Sequence, residues 1–174
     1  MKHPAAPTRT PLRARSKAPT QAPTQASTDD AAMLPWLSIA RTFYLCDALL
    51  ARRLGALGVR VAEHEILINL RREPGIAQQT LARRCFSAKS HISALLTALE
   101  ERGWVSREAD PVDARAKQLF LTPAGEHIAA RTTAVQAELA AAMAAAVSPK
   151  ALAEVTAAMG RVSERLLGLL DQSD

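Results

Sequence analysis

The stretch ADPVDARAKQLFLTPAG, residues 109–125, decides the fold. It sets alternating acids and bases between two apolar segments and closes on Pro-Ala-Gly, in a chain whose other segments carry helical spacing. WVSRE (104–108) alternates just before it, and KQLFL (117–121) alternates within it. Two alternating runs around the polar turn ADPVDARA predict a β-hairpin. Thr122 and Pro123 then suit the N-cap and first position of a following helix.

Upstream, SAKSHISALLTALEERG (87–103) predicts a helix opened by Ser87 as N-cap and closed by Gly103. Ile92, Leu95, Leu96 and Leu99 fall at i, i+3, i+4 and i+7, so one face is buried, and Lys89, Ser90, His91 and Ser93 lie opposite, near the N-terminus. IAQQTLARRCF (76–86) predicts a short helix before it, and VAEHEILINLRREPG (61–75) another. Leu37, Ala40, Tyr44, Leu50, Leu54 and Leu57 mark a long first helix that stops near Gly58. Downstream, two Ala-rich helices break at Ser148-Pro149. In the last one Leu152, Val155, Met159, Val162, Leu166 and Leu169 follow the spacing of a coiled-coil seam, which needs a partner surface.

Composition agrees with a mainly α fold. Of 174 residues 48% are apolar but only 3% aromatic, so the core is built from Ala, Leu, Val and Ile, which favours helix packing. No apolar run approaches the roughly 18 residues of a membrane span, and no secretory signal pattern opens the chain, so a cytoplasmic location without a membrane partner is expected. Residues 1–31 are rich in Pro, Ala, Thr and Gln and read as a disordered basic arm; residues 32–174 read as one domain. The net charge of +5 sits in Lys2, Arg9, Arg13, Arg15 and Lys17, and the remaining 17 bases equal the 17 acids. Nucleic-acid binding by the folded part therefore requires segregated charge. Residues 75–99 provide it, with Arg83, Arg84, Lys89 and His91 and no carboxylate.

The helices at 76–86 and 87–103, joined by CFSA, have the order of a helix-turn-helix, and the hairpin that follows makes a winged helix. LARRCFSAKSHISALLTALEERGWVSREADPVDARAKQLFLTPAGE resembles the DNA-binding core of the multiple antibiotic resistance regulator (MarR) family, whose wing reads D-x-R before an apolar strand and Leu-Thr. Asp113, Arg115, Leu121, Thr122 and Gly125 carry the match, and the likeness spans roughly residues 34–171. The resemblance implies a homodimer paired through helices at 34–58 and 123–171, with a winged-helix lobe at 61–121. It further implies double-stranded DNA with an inverted repeat as partner, repression as the default activity, and release by a small aromatic acid. Arg115 would enter the minor groove with Asp113 orienting it, Ser87, Lys89, Ser90, His91 and Ser93 would face the major groove, and Lys117 would support the wing. Many relatives carry a second wing arginine where this chain has Ala114.

Trp36, Tyr44, His64 and Arg107 offer aromatic faces and a cation for an aromatic carboxylate, although Trp36 and Tyr44 equally suit a dimer core and Arg107 a phosphate contact. Cys46 and Cys85 are isolated; Arg83 and Arg84 would lower the Cys85 pKa if that thiol is exposed, yet structural thiols are the favoured reading. Cys46, His64, Glu65 and His127 form a weak zinc candidate, since Arg131 stands where the zinc-sensing branch pairs a second histidine. No catalytic constellation is legible, so neither an enzyme nor a cofactor is expected. An architectural DNA binder without a signal, or a redox- or metal-responsive regulator of the same fold, are the alternatives.

Overall fold

A computed structural model describes residues 25–109 and 117–172, with side chains from residue 33 onward. The turn that carries Asp113 and Arg115, and the expected arm up to residue 24, lie outside the described residues. The order is α1 (Gln25–Gly55), α2 (Val61–Arg72), β1 (Ile76–Ala77), α3 (Gln78–Arg84), α4 (Lys89–Glu101), β2 (Val105–Ala109), β3 (Lys117–Leu121), α5 (Pro123–Ala144) and α6 (Pro149–Leu170). The chain divides into two compact units, Met1–Arg41 and Thr42–Asp174.

In the first unit, helix starts at Gln25, upstream of the apolar spacing that begins at Leu34. Residues 25–31, expected within the arm, are thus helical. They contain no large apolar residue, so no period in the sequence announces them. Met33, Leu34, Trp36, Leu37 and Ile39 are all exposed.

The second unit is organised by β3, which lies between β1 and β2 in an antiparallel sheet. The expected hairpin pairs Val105 with Leu121 and Ala109 with Lys117. Residues 76–77, expected at the start of a helix, instead form a strand, Ile76 opposite Leu119. That pairing is long-range and two residues long, too short to leave a period. Ile66 and Leu70 of α2, Leu81 of α3, and Ile92, Leu95, Leu96 and Leu99 of α4 close over Ile76, Val105 and Leu119 from the three strands. Each such side chain, when fully buried, contributes roughly 1.5–3 kcal/mol. A second cluster joins Leu54 of α1, Val59, Leu67 of α2, and Ile128 and Ala129 of α5; Trp104 and Leu121 pack against both clusters.

The start of α5 is fixed by short-range chemistry. Thr122 is its N-cap, as expected, and its hydroxyl accepts from the Gly125 amide at 3.0 Å while donating to the Gly103 carbonyl at 2.6 Å. The Thr122 amide donates to the Trp104 carbonyl at 3.0 Å. Gly125 comes so close to Trp104 that a Cβ on it would lie 1.9 Å from that carbonyl oxygen. Only hydrogen fits there.

At the start of α2 the Glu63 carboxylate is buried and accepts from the Arg60 amide at 2.8 Å, Arg60 Nη2 at 2.7 Å and Arg102 Nη1 at 3.3 Å. Arg102 also donates to the Gly58 carbonyl at 2.9 Å and stacks 3.5 Å over the Trp104 ring. Burial pushes the Glu63 carboxyl up, but the hydrogen bonds and charge of Arg60, with the charge of Arg102, outweigh it and hold the group below its usual 4.5.

α5 and α6 meet at a bend of 111° at the expected Ser148-Pro149 break, where the Ser148 hydroxyl caps α6 by accepting from the Ala151 amide at 3.2 Å. No residue of α6 is buried, and Leu152, Val155, Val162 and Leu166 of the anticipated seam are exposed. Among the described residues, no single helix is long and apolar enough to cross a membrane.

Two predictions follow from these junctions. Gly125→Ala should lower stability by about 2 kcal/mol in urea denaturation, because the overpacking penalty exceeds the helix-propensity gain of about 1 kcal/mol; an unchanged midpoint would contradict the close approach. Glu63→Gln should cost about 1–3 kcal/mol at neutral pH. The wild-type carboxylate stabilises fully above its unfolded pKa and loses that contribution as pH falls through the lowered folded value, so the variant should also show a flatter acid limb.

Candidate nucleic-acid interface

α3 and α4 present the most distinctive surface. α3 ends in a Schellman motif: the Ser87 amide donates to the Ala82 carbonyl at 3.0 Å and the Phe86 amide to the Arg83 carbonyl at 3.2 Å. The motif needs a left-handed residue at its penultimate position. The chain builds the same pair of bonds after α1 and after α4, and there the left-handed residues are Gly58 (φ +68) and Gly103 (φ +69). At the helix-turn-helix junction the position is held by Phe86 (φ +46), whose side chain is 85% exposed. A side chain in this conformation costs roughly 1–2 kcal/mol relative to right-handed backbone.

This geometry corrects the reading of Ser87. Its amide completes the α3 cap, and the N-cap of α4 is Ala88, with no side-chain hydrogen bond to the first turn. The opening amides of α4 therefore point outward uncapped, beside the exposed Lys89, Ser90 and His91, an arrangement suited to an anion. Ser93 is half-buried, and its carbonyl accepts from Thr97 Oγ1 at 3.0 Å and Arg107 Nη2 at 3.3 Å. Lys117 is exposed at the start of β3, opposite Ala109. Arg83 is exposed, with Thr80 Oγ1 at 3.5 Å, whereas Arg84 is ion-paired with Glu73.

Arg107 braces the wing against α4, a role that sequence reasoning missed. From β2 it reaches Glu100 (Nε to Oε2, 3.1 Å), Thr97 Oγ1 (3.3 Å) and the Ser93 carbonyl, all on α4. No local spacing signals it, because the contact exists only once the strand folds back. The other residues suggested for an effector fall elsewhere. Tyr44 is exposed on α1, and Trp36 is exposed in the first unit. His64 is buried on α2, with Nε2 3.3 Å from Gln136 Oε1 of α5. Burial pushes its imidazole below 6.5, partly offset by the Gln136 hydrogen bond. His64 and Arg107 thus engage different helices.

Cys46 and Cys85 are free and half-buried. Burial and the neighbouring Glu65 charge push the Cys85 thiol up, opposite to what exposure beside Arg83 and Arg84 would give, because those guanidinium groups turn to Thr80 and Glu73. Among the described residues no three His, Cys, Asp or Glu side chains converge as metal ligands; His127 is exposed on α5.

A three-helix lobe whose second and third helices make this turn, followed by an antiparallel ribbon, is a winged helix-turn-helix. Residues 57–116 match the family model described as MarR family. Over 58 residues the chain is 41% identical to the transcriptional regulator HosA of Escherichia coli O111:H-, covering 33% of this chain and 43% of HosA. The match thus spans less than half the length of that curated relative. The fold resembles that of Staphylococcus aureus MepR, solved in complex with DNA, with a TM-score of 0.69 at 18% identity over 74% of this chain and 96% of MepR. It also resembles PcaV from Streptomyces coelicolor, solved with its natural ligand, with a TM-score of 0.55 at 25% identity over 66% and 89% of the two chains.

Proposed function

We propose that this protein is a homodimeric, sequence-specific DNA-binding transcriptional regulator, acting by repression and relieved by a small effector. The observation that carries the reading is the start of α4. Exposed Lys89, Ser90 and His91 flank uncapped amides in a stretch free of carboxylates, on a lobe that matches the MarR family model. Cations and short hydrogen-bonding groups at a recognition-helix N-terminus suit phosphate positioning and base-edge readout. Arg115, steered by Asp113 and assisted by Lys117, is assigned to the adjacent minor groove. Pairing of two chains is supported by α6, none of whose residues is buried although its seam is apolar. A twofold pair would set two recognition helices toward half-sites about one helical turn apart.

A small effector draws support from PcaV, solved with its natural ligand, and an aromatic one from the exposed rings of Trp36 and Tyr44. It draws none from Arg107, whose guanidinium already has three partners on α4. A ligand would act by favouring a spacing of the recognition helices that no longer fits the grooves.

The reading is tested by titrating the protein against DNA upstream of its own gene and against random duplex at matched salt. Selective binding supports a regulator, equal affinity an architectural protein, and no binding refutes both. Arg115→Ala should weaken specific binding by about ten-fold, from the loss of roughly 1–3 kcal/mol, with the dimer intact by sedimentation; full affinity would refute the wing assignment. Leu166→Asp should split the dimer in the same measurement, and an intact dimer would place the seam elsewhere.

A further inference from the structure

Phe86 stands apart from every other exposed large apolar side chain among the described residues. All the rest lie on α1 or from Met143 to the end of α6, the segments assigned above to the proposed pairing; Phe86 alone lies in the winged-helix lobe. The shallow groove between α3 and α4 that it lines also holds Gln79, Ala82, Arg83, Ser87, Ala88 and Lys89, two cations among small and polar residues with no carboxylate. Two cations and no carboxylate around the ring suit a polyanion. The backbone adds a second reason. Glycine serves the two equivalent helix ends, so the phenyl ring is not there to make the turn. A strained, solvent-exposed aromatic ring is destabilising in the free protein, and a compensating contact must come from a bound partner.

Resting on the DNA-binding reading above, we infer that Phe86 is a specificity-determining residue that meets a thymine methyl in the major groove beside the recognition helix. A phenyl ring has no hydrogen-bonding group, and the C5-methyl of thymine is the apolar feature that the major groove presents on base edges. Arg83 and Lys89 on either side would hold the backbone phosphates while the ring reads the base. Phe86 would thus add a preference for T at a fixed place in each half-site, independent of the polar side chains of α4.

The experiment uses the full chain and a duplex selected from a random pool by the wild-type protein. Thymines in that duplex are replaced one at a time by deoxyuridine, which removes only the methyl. Binding of wild type, Phe86→Gly and Phe86→Asn is measured at fixed salt; both variants suit left-handed backbone and lack the ring, so neither should melt below the wild type. At one thymine per half-site, deoxyuridine should weaken the wild type about four-fold per methyl. Both variants should bind the thymine duplex more weakly by at least that factor and be indifferent to deoxyuridine at that position. Wild-type affinity in both variants would overturn the inference, as would variants that weaken yet still respond to every deoxyuridine as the wild type does. Failure of the wild type to select any duplex would overturn the DNA-binding reading itself.

Discussion

The backbone of Trp104 is the point to which the second unit is referenced. Its amide closes the cap of α4 on the Leu99 carbonyl at 2.9 Å, and its carbonyl receives the amide that leads into α5. Its ring packs against both core clusters and carries the Arg102 guanidinium, which in turn reaches the buried Glu63. The helix α4, the wing and α5 therefore meet at one residue. The absence of a side chain at Gly125 is what lets them approach. Packed interiors do not deform smoothly, so a displacement of α5 at this junction would be passed to α4 and the wing together.

Much of this architecture is legible in the sequence because its signals are local. The burial of Ile92, Leu95, Leu96 and Leu99 follows from their spacing, and the β2–β3 register follows from two alternating runs. Thr122 as a cap and Ser148-Pro149 as a break are features that a short window reveals. What escaped depends on distant partners or on conformation without a periodic trace. β1 exists because Leu119 is available to pair with Ile76. Ser87 looked like a cap for the helix after it, but α4 begins at Lys89, which puts Ala88 at the N-cap and Ser87 one residue too early. Phe86 in the left-handed region runs against the glycine preference that a sequence rule would apply. Of the candidate interface, Lys89, Ser90, His91 and Lys117 are placed on the surface as the sequence suggested, whereas Asp113 and Arg115 lie outside the described residues.

Arginine placement explains how a folded part with balanced charge can offer a positive face. Residues 75–99 contain no carboxylate, but acids stand at both borders, Glu73 before and Glu100 after. Each is engaged by an arginine: Glu73 by Arg84, and Glu100 by Arg107. Partly exposed pairs of this kind add little to stability, typically about 0–1 kcal/mol. Their larger effect is on the field, because they cancel the negative charges that would otherwise border the groove. Arg84 is consumed in this way, which leaves Arg83 and Lys89 as the lysine and arginine cations beside Phe86. Arg107 does so while fastening β2 to α4, so the contact that orients the wing also neutralises Glu100, while Glu101 beside it stays exposed. A glutamate at position 100 is therefore compatible with an anionic partner only while β2 is seated against α4, which makes the electrostatics of the interface a property of the assembled wing and helix rather than of either alone.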